Sequence, residues 1–311
     1  MKNLITALAL WSFLGSMTHA QERKDIQQLV LEETPTAFYA ALPVFAWVDN
    51  TVPGQEGRFG SAVVGTAFVV NNQGDFITAG HVASMTEVGT APNKVKVRLT
   101  VGFRQKKAGI SGVPFKVVEI DSDHDLALCH IEGQRGVSFS QSGAQKIAHP
   151  EQPGGLTADE ISMPFASLAV DQESPQSGRF VLVSGFPLGS WTPAIQFGLL
   201  SATETEYPEA PIARLPKDTF ELLQISVSGN HGNSGGPVID LRSGRVVGVI
   251  LSIVPAPLTI GGQQVWSDNT FDMSGIMLAA PAKWVNALLS RNGAKSESIR
   301  QGKLFWGPKP Q

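Results

Sequence analysis

Short apolar segments, separated by turn-forming residues, dominate the chain. Valine, isoleucine and phenylalanine fill these segments, and 32 glycines and 20 prolines lie in and between them. Brief β-branched and aromatic segments bounded by such residues are typical of β-strands rather than of long helices. We predict a first set of strands at 44–48, 62–70, 76–79, 95–101, 115–121 and 126–131, and a second set at 166–170, 180–185, 194–202, 220–226, 236–240, 245–254 and 275–280.

A few segments depart from the strand pattern. Residues 281–291 place Trp284, Val285 and Leu288 on one helical face, and a glycine shortly afterwards provides the stop signal. A short helix is expected within 21–36. Residues 134–162, rich in Gly, Pro, Ser and Gln, predict a loop or linker between the two strand sets. Residues 294–311 predict a polar tail.

The N-terminus predicts export. Lys2 precedes an uncharged, mostly apolar run from Leu4 to Met17, and polar residues follow Ala20. This pattern is typical of a secretory signal peptide, here residues 1–20, cut after Ala20. The alternative is a membrane anchor, but the run of about fourteen residues is shorter than the roughly 20 that a spanning helix needs. We therefore expect a periplasmic or secreted protein.

Charge and cysteine content narrow the function classes. The formal net charge is −3, and no block of basic residues suggests nucleic-acid binding. No later apolar run is long enough to span a bilayer, so no membrane association is expected after signal cleavage. Cys129 is the only cysteine, which excludes an intramolecular disulfide and leaves packing to stabilise an exported chain. Its apolar neighbours predict a buried, inert thiol.

The strongest chemical signal is the segment GNHGNSGGPV at 229–238. A serine hydroxyl such as that of Ser234 is a weak nucleophile that needs a base and pre-aimed donors for the developing oxyanion. Glycines allow a tight turn in which backbone N–H groups converge. If Ser234 attacks a carbonyl, the N–H groups of Gly232 and Ser234 are placed to form that oxyanion hole. The alternative is an ordinary glycine-rich turn.

Two further segments supply a base and an acid. His81 directly follows an apolar strand in ITAGHV, and its neutral imidazole suits a general base. In the segment DSDHDLAL, Asp125 adjoins the next strand and is best placed for burial. Asp121 and Asp123 are expected to be solvated turn residues. The order His81, Asp125, Ser234 is that of one known arrangement of the serine-protease triad, and the nucleophile elbow of α/β-hydrolases is absent.

With these motifs in place, the chain resembles the bacterial trypsin-like serine peptidases of the HtrA/Deg and glutamyl-endopeptidase type. The resemblance covers roughly residues 40–290 and rests on ITAGHV at 77–82, HDLALCHI at 124–131, GFPLG at 185–189 and GNSGGPVID at 232–240. It implies an all-β fold of two six-stranded barrels, at about 38–133 and 163–280, with a C-terminal helix. It also implies peptide-bond hydrolysis without a cofactor. The peptidase domain would span 38–293, between an extension at 21–37 and the tail.

The resemblance also indicates where substrate would bind. It implies that residues 226–229 and 249–253 form the walls of the pocket for the side chain before the scissile bond. Neither segment carries a charged residue, so Ser228, Val249 and Ser252 favour a small or medium apolar side chain. His231 is expected to contact substrate or tune His81, or else to be an exposed loop histidine. If it contacts substrate, a preference for glutamate before the scissile bond stays open. Only eighteen residues follow Gly293, so we expect no PDZ domain of the kind that HtrA proteins carry. The long loops are expected to limit access to the cleft or to set specificity.

Two other interpretations have less support. His124, Cys129, His130 and His149 could be drawn as a metal site, but their spacing matches no compact ligand motif, so no metal is expected. A non-catalytic or latent peptide-binding protein on the same fold is the alternative function. The complete set of His81, Asp125 and Ser234 argues against it. We expect polypeptide substrates, and the sequence leaves the oligomeric state open.

Overall fold

A computed structural model describes residues 25–55, 60–89, 92–105, 109–132, 138–140, 162–173, 175–204, 221–255, 258–260, 263–265 and 273–305. The predicted signal peptide, most of the 134–162 loop, His149 and the last six residues of the tail lie outside this part. Three helices occur in it: α1 (Ile26–Ala40), α2 (Gly80–Ala83) and α3 (Ala282–Arg291). A 3₁₀ turn covers Pro187–Gly189.

The strands carry most of the structure. The first eight are β1 (Ala41–Val48), β2 (Ser61–Val69), β3 (Asp75–Ala79), β4 (Glu87–Val88), β5 (Val95–Gln105), β6 (Gly109–Val113), β7 (Phe115–Asp121) and β8 (Leu126–Ile131). The next six are β9 (Ser138–Ser140), β10 (Ser162–Ser167), β11 (Phe180–Gly185), β12 (Ala194–Ala202), β13 (Leu223–Ser226) and β14 (Pro237–Asp240). The last five are β15 (Val246–Pro255), β16 (Leu258–Ile260), β17 (Gln263–Val265), β18 (Met273–Pro281) and β19 (Ile299–Phe305).

The strands form two main units. β1 to β8 make an eight-stranded antiparallel sheet in the order β4-β5-β1-β2-β3-β8-β7, with β6 paired to β5. The strands β11-β12-β13-β18-β15-β14 form a closed six-stranded barrel. A mostly β architecture with two such units confirms the predicted all-β double-barrel class. The hydrophobic core that buries Phe68, Phe76 and Leu128 of the first unit also includes Val249 and Leu278 of the barrel, so the two units pack together.

The N-terminal extension is part of the fold. Asp25 caps α1 by accepting a hydrogen bond from the Gln28 N–H at 2.7 Å, as an N-cap residue does. The helix runs on to Ala40, beyond the predicted 21–36, and continues directly into β1. Ala37 is fully buried, and its carbonyl accepts a hydrogen bond from Ser184 Oγ on β11. The extension therefore packs on the second barrel as well as leading into the first unit.

The C-terminal tail contains a strand that was not among the predicted ones. Residues 299–305 form β19, which pairs with β10 on one side and β9 on the other. The predicted strand at 166–170 was also misplaced, since β10 covers 162–167 and belongs to this separate sheet rather than to the second barrel. Arg300 of β19 donates to Glu33 of α1 at 2.7 Å. Both corrections have one cause, namely that β19 pairs with strands far away in sequence.

No helix in the described part of the chain is long and apolar enough to cross a membrane.

Candidate active site

Strand pairing brings His81 and Asp125 together. His81 lies on α2, immediately after β3, and Asp125 immediately precedes β8. Because β3 and β8 pair in the register Ala79 with Leu126, the two side chains meet at the same edge of the sheet. The His81 Nδ1 atom lies 2.6 Å from Asp125 Oδ2. This is the distance of a strong, charge-assisted hydrogen bond.

The Asp125 backbone and carboxylate are held by further contacts. Asp125 is in the left-handed region with φ 52, which aspartate tolerates better than most residues. Its Oδ1 accepts from the His81 N–H at 2.7 Å, and its carbonyl accepts from the Gly80 N–H at 2.8 Å. A Cβ on Gly80 would lie only 3.0 Å from Oδ1, so a small residue is needed there. With Nδ1–H donating to Asp125, the Nε2 atom of His81 is left as an acceptor.

Ser234 lies in the turn before β14, where the two units meet. Its carbonyl accepts from the Thr66 N–H of β2 at 2.8 Å, and its Oγ donates to the Leu251 carbonyl of β15 at 3.3 Å. Within the described residues, the hydroxyl makes its hydrogen bond to Leu251 and not to the ring of His81. Nucleophile–base hydrogen bonds are often long in enzymes without substrate and shorten when it binds.

The backbone around Ser234 presents two free donors. Among the described residues, the N–H groups of Gly232 and Ser234 have no protein acceptor. The peptide before Gly232 is fixed because the His231 carbonyl accepts from the Leu188 N–H at 2.7 Å. Gly232 has φ 98, and a Cβ there would overlap the Phe186 carbonyl. Glycine is therefore required at position 232.

Thr66 holds this turn, a role that was not predicted from the sequence. The side chain is fully buried on β2. Its Oγ1 donates to the Gly232 carbonyl at 2.6 Å and accepts from the Phe186 N–H at 3.1 Å. Its own carbonyl accepts from Thr78 Oγ1 at 2.7 Å. One threonine of the first unit thus binds both the turn that contains Gly232 and Ser234 and the segment after β11.

Asn233, next to Ser234, is an unusual buried polar residue. It is 1% exposed, and neither Oδ1 nor Nδ2 has a hydrogen-bond partner in the described part of the chain. A Cβ on Gly185 would lie 2.5 Å from Asn233 Oδ1, so glycine at 185 makes the room for this side chain.

The predicted substrate-binding residues differ in their exposure to solvent. His231 and Ser228 are exposed, and Ser252 is half-buried. Gly229 packs against Ile253, where a Cβ would come within 3.2 Å, so the two predicted pocket walls do lie side by side. Val249 is 0% exposed and belongs to the hydrophobic core. It cannot contact substrate, and that prediction is corrected, because residues 246–251 of β15 are all buried.

The other acids and histidines are engaged elsewhere. Asp121 is not the solvated residue that we expected: it lies 3.0 Å from His124 Nδ1 and 2.9 Å from Arg291. Asp123 is exposed. His130 pairs with Asp75 on the surface. Cys129 is fully buried, and burial raises the pKa of its thiol. In the part of the chain that is described, no three His, Cys, Asp or Glu side chains could hold a metal ion.

Residues 65–249 match the family described as "Trypsin-like peptidase domain". A protein of Rhizobium meliloti (strain 1021) named "Probable periplasmic serine endoprotease DegP-like" is 26% identical over 207 residues, which are 67% of this chain and 31% of that protein. "Serine protease HTRA4" of Mus musculus is 26% identical over 185 residues, 60% of this chain and 29% of that protein. The chain thus spans about a third or less of the curated relatives that it matches.

Solved structures share the fold. "Crystal structure of Deg5" superposes with a TM-score of 0.50 at 18% identity, covering 86% of this chain and 95% of that one. "HtrA-type protease AlgW", in a variant solved with a tripeptide, superposes with a TM-score of 0.50 at 16% identity, covering 84% of this chain and 62% of that one.

Proposed function

Since the chain belongs to the trypsin-like peptidase domain family, we propose that it is a serine endopeptidase that cleaves polypeptides through an acyl-enzyme on Ser234. His81 takes the proton of the Ser234 hydroxyl as general base and later returns it to the leaving amine. Asp125 holds the tautomer of His81 that presents Nε2 and stabilises the imidazolium when it forms. No metal or organic group takes part in the proposed steps.

The observation that carries the proposal is the 2.6 Å contact between His81 Nδ1 and Asp125 Oδ2, beside a turn that exposes two free N–H groups. A histidine held by a carboxylate is the arrangement that a serine nucleophile needs. The free N–H groups of Gly232 and Ser234 supply the oxyanion hole, and donors of this kind contribute about 10²–10³-fold each in rate. Surface histidines and ordinary turns have no reason to combine these features.

In the proposed reaction, the Ser234 hydroxyl leaves Leu251 and turns towards His81. Its present hydrogen bond is 3.3 Å long and therefore weak, so the exchange costs little. The oxygen then attacks the scissile carbonyl, and the carbonyl oxygen receives the two N–H donors. Collapse of the adduct breaks the C–N bond, and His81 gives its proton to the departing amine. Water repeats the sequence and releases the acyl group.

The test is covalent labelling. A fluorophosphonate probe should label the protein at Ser234 only, as located by mass spectrometry. Ser234→Ala should remove both the label and hydrolysis of an unfolded protein substrate such as reduced casein. Ser243→Ala, which removes an exposed serine remote from the site, is the matched control and should keep both. Hydrolysis retained by a folded Ser234→Ala protein would refute the proposal.

A latent peptide-binding form is the second candidate, and one observation favours it. The Ser234 hydroxyl donates to Leu251 rather than to His81 in the structure. A protein of this kind would bind an unfolded polypeptide but would take no label at Ser234. Labelling that appears only after an unfolded polypeptide is added would indicate an enzyme that its substrate activates.

We also propose that the protein is exported. The support is the signal-peptide pattern of residues 1–20 and the word "periplasmic" in the name of the Rhizobium relative. Expression of the full chain in a Gram-negative host should give a periplasmic protein whose first residue is Gln21. Deletion of residues 2–20 should leave the protein in the cytoplasm. An uncleaved N-terminus in the membrane fraction would contradict export by this route.

A further inference from the structure

An open cleft of about 660 Å³ begins at the nucleophile turn and leads away from it. His231 and Gly232 form its inner end. Its sides come from four elements: the segment around Leu188 and Trp191 after β11, strand β1 with Phe45, the start of strand β2 at 61–64, and the segment after α2 with Met85.

The cleft has an apolar wall that is exposed to solvent. Trp191 is 57% exposed and Leu188 is 70% exposed, and large apolar side chains rarely lie together on a surface without a partner. The Trp191 ring is held in place by Phe45, with ring centroids 5.6 Å apart at an interplanar angle of 66°. Phe45 itself is 2% exposed. One face of Trp191 is thus anchored, which leaves the rest of the ring available for contact.

Charge does not determine what the cleft binds. His231 and Glu87 are the ionisable side chains among the described residues that line it. A hydrogen bond from Lys96 and the charge of that lysine lower the pKa of Glu87, so this carboxylate is ionised. Lys96 lies 2.6 Å from it and Lys94 3.6 Å from it, so its charge is compensated. An apolar ligand group therefore fits the cleft better than a charged one.

The cleft lies on one definite side of the reacting bond. The predicted walls for the acyl side, around Ser228–Gly229 and Ser252–Ile253, are packed against each other and do not line this cleft. The lining of the cleft includes Gly232, two residues before Ser234, so the cleft reaches the candidate nucleophile from a side that those walls do not occupy. A polypeptide bound across Ser234 would therefore place its acyl part against β15 and its leaving part in the cleft.

We infer that this cleft binds the leaving side of the substrate, and that Trp191 selects a large apolar or aromatic side chain there. The inference rests on the proposed function and adds a second specificity determinant to the pocket before the scissile bond. Trp191 acts by contact with the substrate side chain, so it discriminates between leaving groups and does not alter the reaction at Ser234. We expect a preference of about tenfold for an aromatic over a glycine residue, the low end for an apolar pocket, because the cleft is open.

An acyl-transfer experiment tests this without knowledge of the preferred substrate. p-Nitrophenyl acetate acetylates Ser234 and releases p-nitrophenol. The acetyl group then passes to water or to an added amine, phenylalaninamide or glycinamide. In the second case the amine nitrogen bonds to the acetyl carbon, the ester bond to Ser234 Oγ breaks, and the proton from nitrogen returns to Oγ through His81. The ratio of N-acetyl amide to acetate measures how well each amine occupies the leaving side.

Four proteins are compared. For each amine, the ratio of N-acetyl amide to acetate is divided by the ratio that spontaneous aminolysis gives with the same amine. The wild type should favour phenylalaninamide about tenfold, and Trp191→Ala should reduce this to near unity. Phe197→Ala removes a comparably exposed aromatic that stacks on Phe180 and does not line the cleft, so it should keep the preference. Ser234→Ala gives the background. If the wild type forms an acetyl-enzyme but does not prefer phenylalaninamide, or if Trp191→Ala keeps the preference, this inference is overturned and the proposed function stands. Failure to form any acetyl-enzyme overturns the proposed function and the inference with it.

Discussion

Replacing Thr66 by valine tests how the candidate site is held together. The Thr66 hydroxyl is fully buried, donates to the Gly232 carbonyl and accepts from the Phe186 N–H. Valine has nearly the same shape, so Thr66→Val removes both hydrogen bonds without opening a cavity. Each buried group that is left unpaired costs about 1–3 kcal/mol. We therefore expect the free energy of unfolding to fall by about 2–6 kcal/mol.

The assay is urea denaturation followed by tryptophan fluorescence, alongside the rate of fluorophosphonate labelling. Thr66→Ser keeps both hydrogen bonds and loses one methyl group, at a cost of about 1 kcal/mol. Thr78→Val removes only the donor to the Thr66 carbonyl, so its cost should be about half that of Thr66→Val. Because the Gly232 carbonyl is released only in Thr66→Val, labelling of the folded protein should slow most in that variant.

Equal stability of Thr66→Val and the wild type would refute this reasoning. It would mean that water reaches the Gly232 carbonyl and the Phe186 N–H, or that the turn relaxes to find other partners. If Thr66→Val is less stable but is labelled by the fluorophosphonate at the wild-type rate, Thr66 stabilises the fold but does not position the proposed oxyanion donors.

Three other predictions concern Asp125, Asp121 and Cys129. Asp125→Asn should keep the fold but lower the turnover number about 10⁴-fold, measured on any cleaved peptide, because the amide stabilises the wrong tautomer of His81. Burial raises the pKa of Asp121, but hydrogen bonds from His124 and Arg291 outweigh it, and the pKa is lowered overall. Its stabilisation is therefore present above the unfolded pKa of about 3.9 and lost as the pH falls through the folded value, so urea midpoints measured below about pH 5 should depend less on pH in Asp121→Asn. Cys129 is buried and its thiol pKa is raised, so a thiol reagent should label it only when the protein unfolds. If Cys129 of the folded protein were labelled as fast as an accessible free thiol, its burial would be contradicted.

The sequence predicted the regular strands well because their own residues determine them. The strands β7, β8, β11 and β12 begin and end where the apolar pattern places them. The failures are strands whose partners are distant. β19 is polar and was expected to be part of a tail, and it exists because β9 and β10 provide the two edges to which it pairs. The alternation of apolar and polar side chains along a strand gives no information about which strand it pairs with.

For the candidate site, the sequence indicated the residues proposed to react but not the residues that hold them in place. His81, Asp125 and Ser234 could be found because their residue types and neighbours are unusual for a strand end or a turn. Thr66 could not, since a threonine within an apolar strand is ordinary and its role arises from contacts with residues more than a hundred positions away. Val249 failed for the opposite reason: it lies in the expected segment, but every residue from 246 to 251 of β15 is buried.

The contacts of Ser234 explain why the candidate site needs both units. The Ser234 carbonyl is held by the Thr66 N–H of the first unit, whereas the next N–H, of Gly235, donates to the Ile250 carbonyl of the second at 2.6 Å. A Cβ on Gly235 would overlap the Thr66 carbonyl, so the two units approach each other through this glycine. The turn therefore acquires its shape only when the units dock, because neither supplies both hydrogen bonds. Any substitution that loosens the docking should consequently disturb the oxyanion donors before it unfolds either sheet.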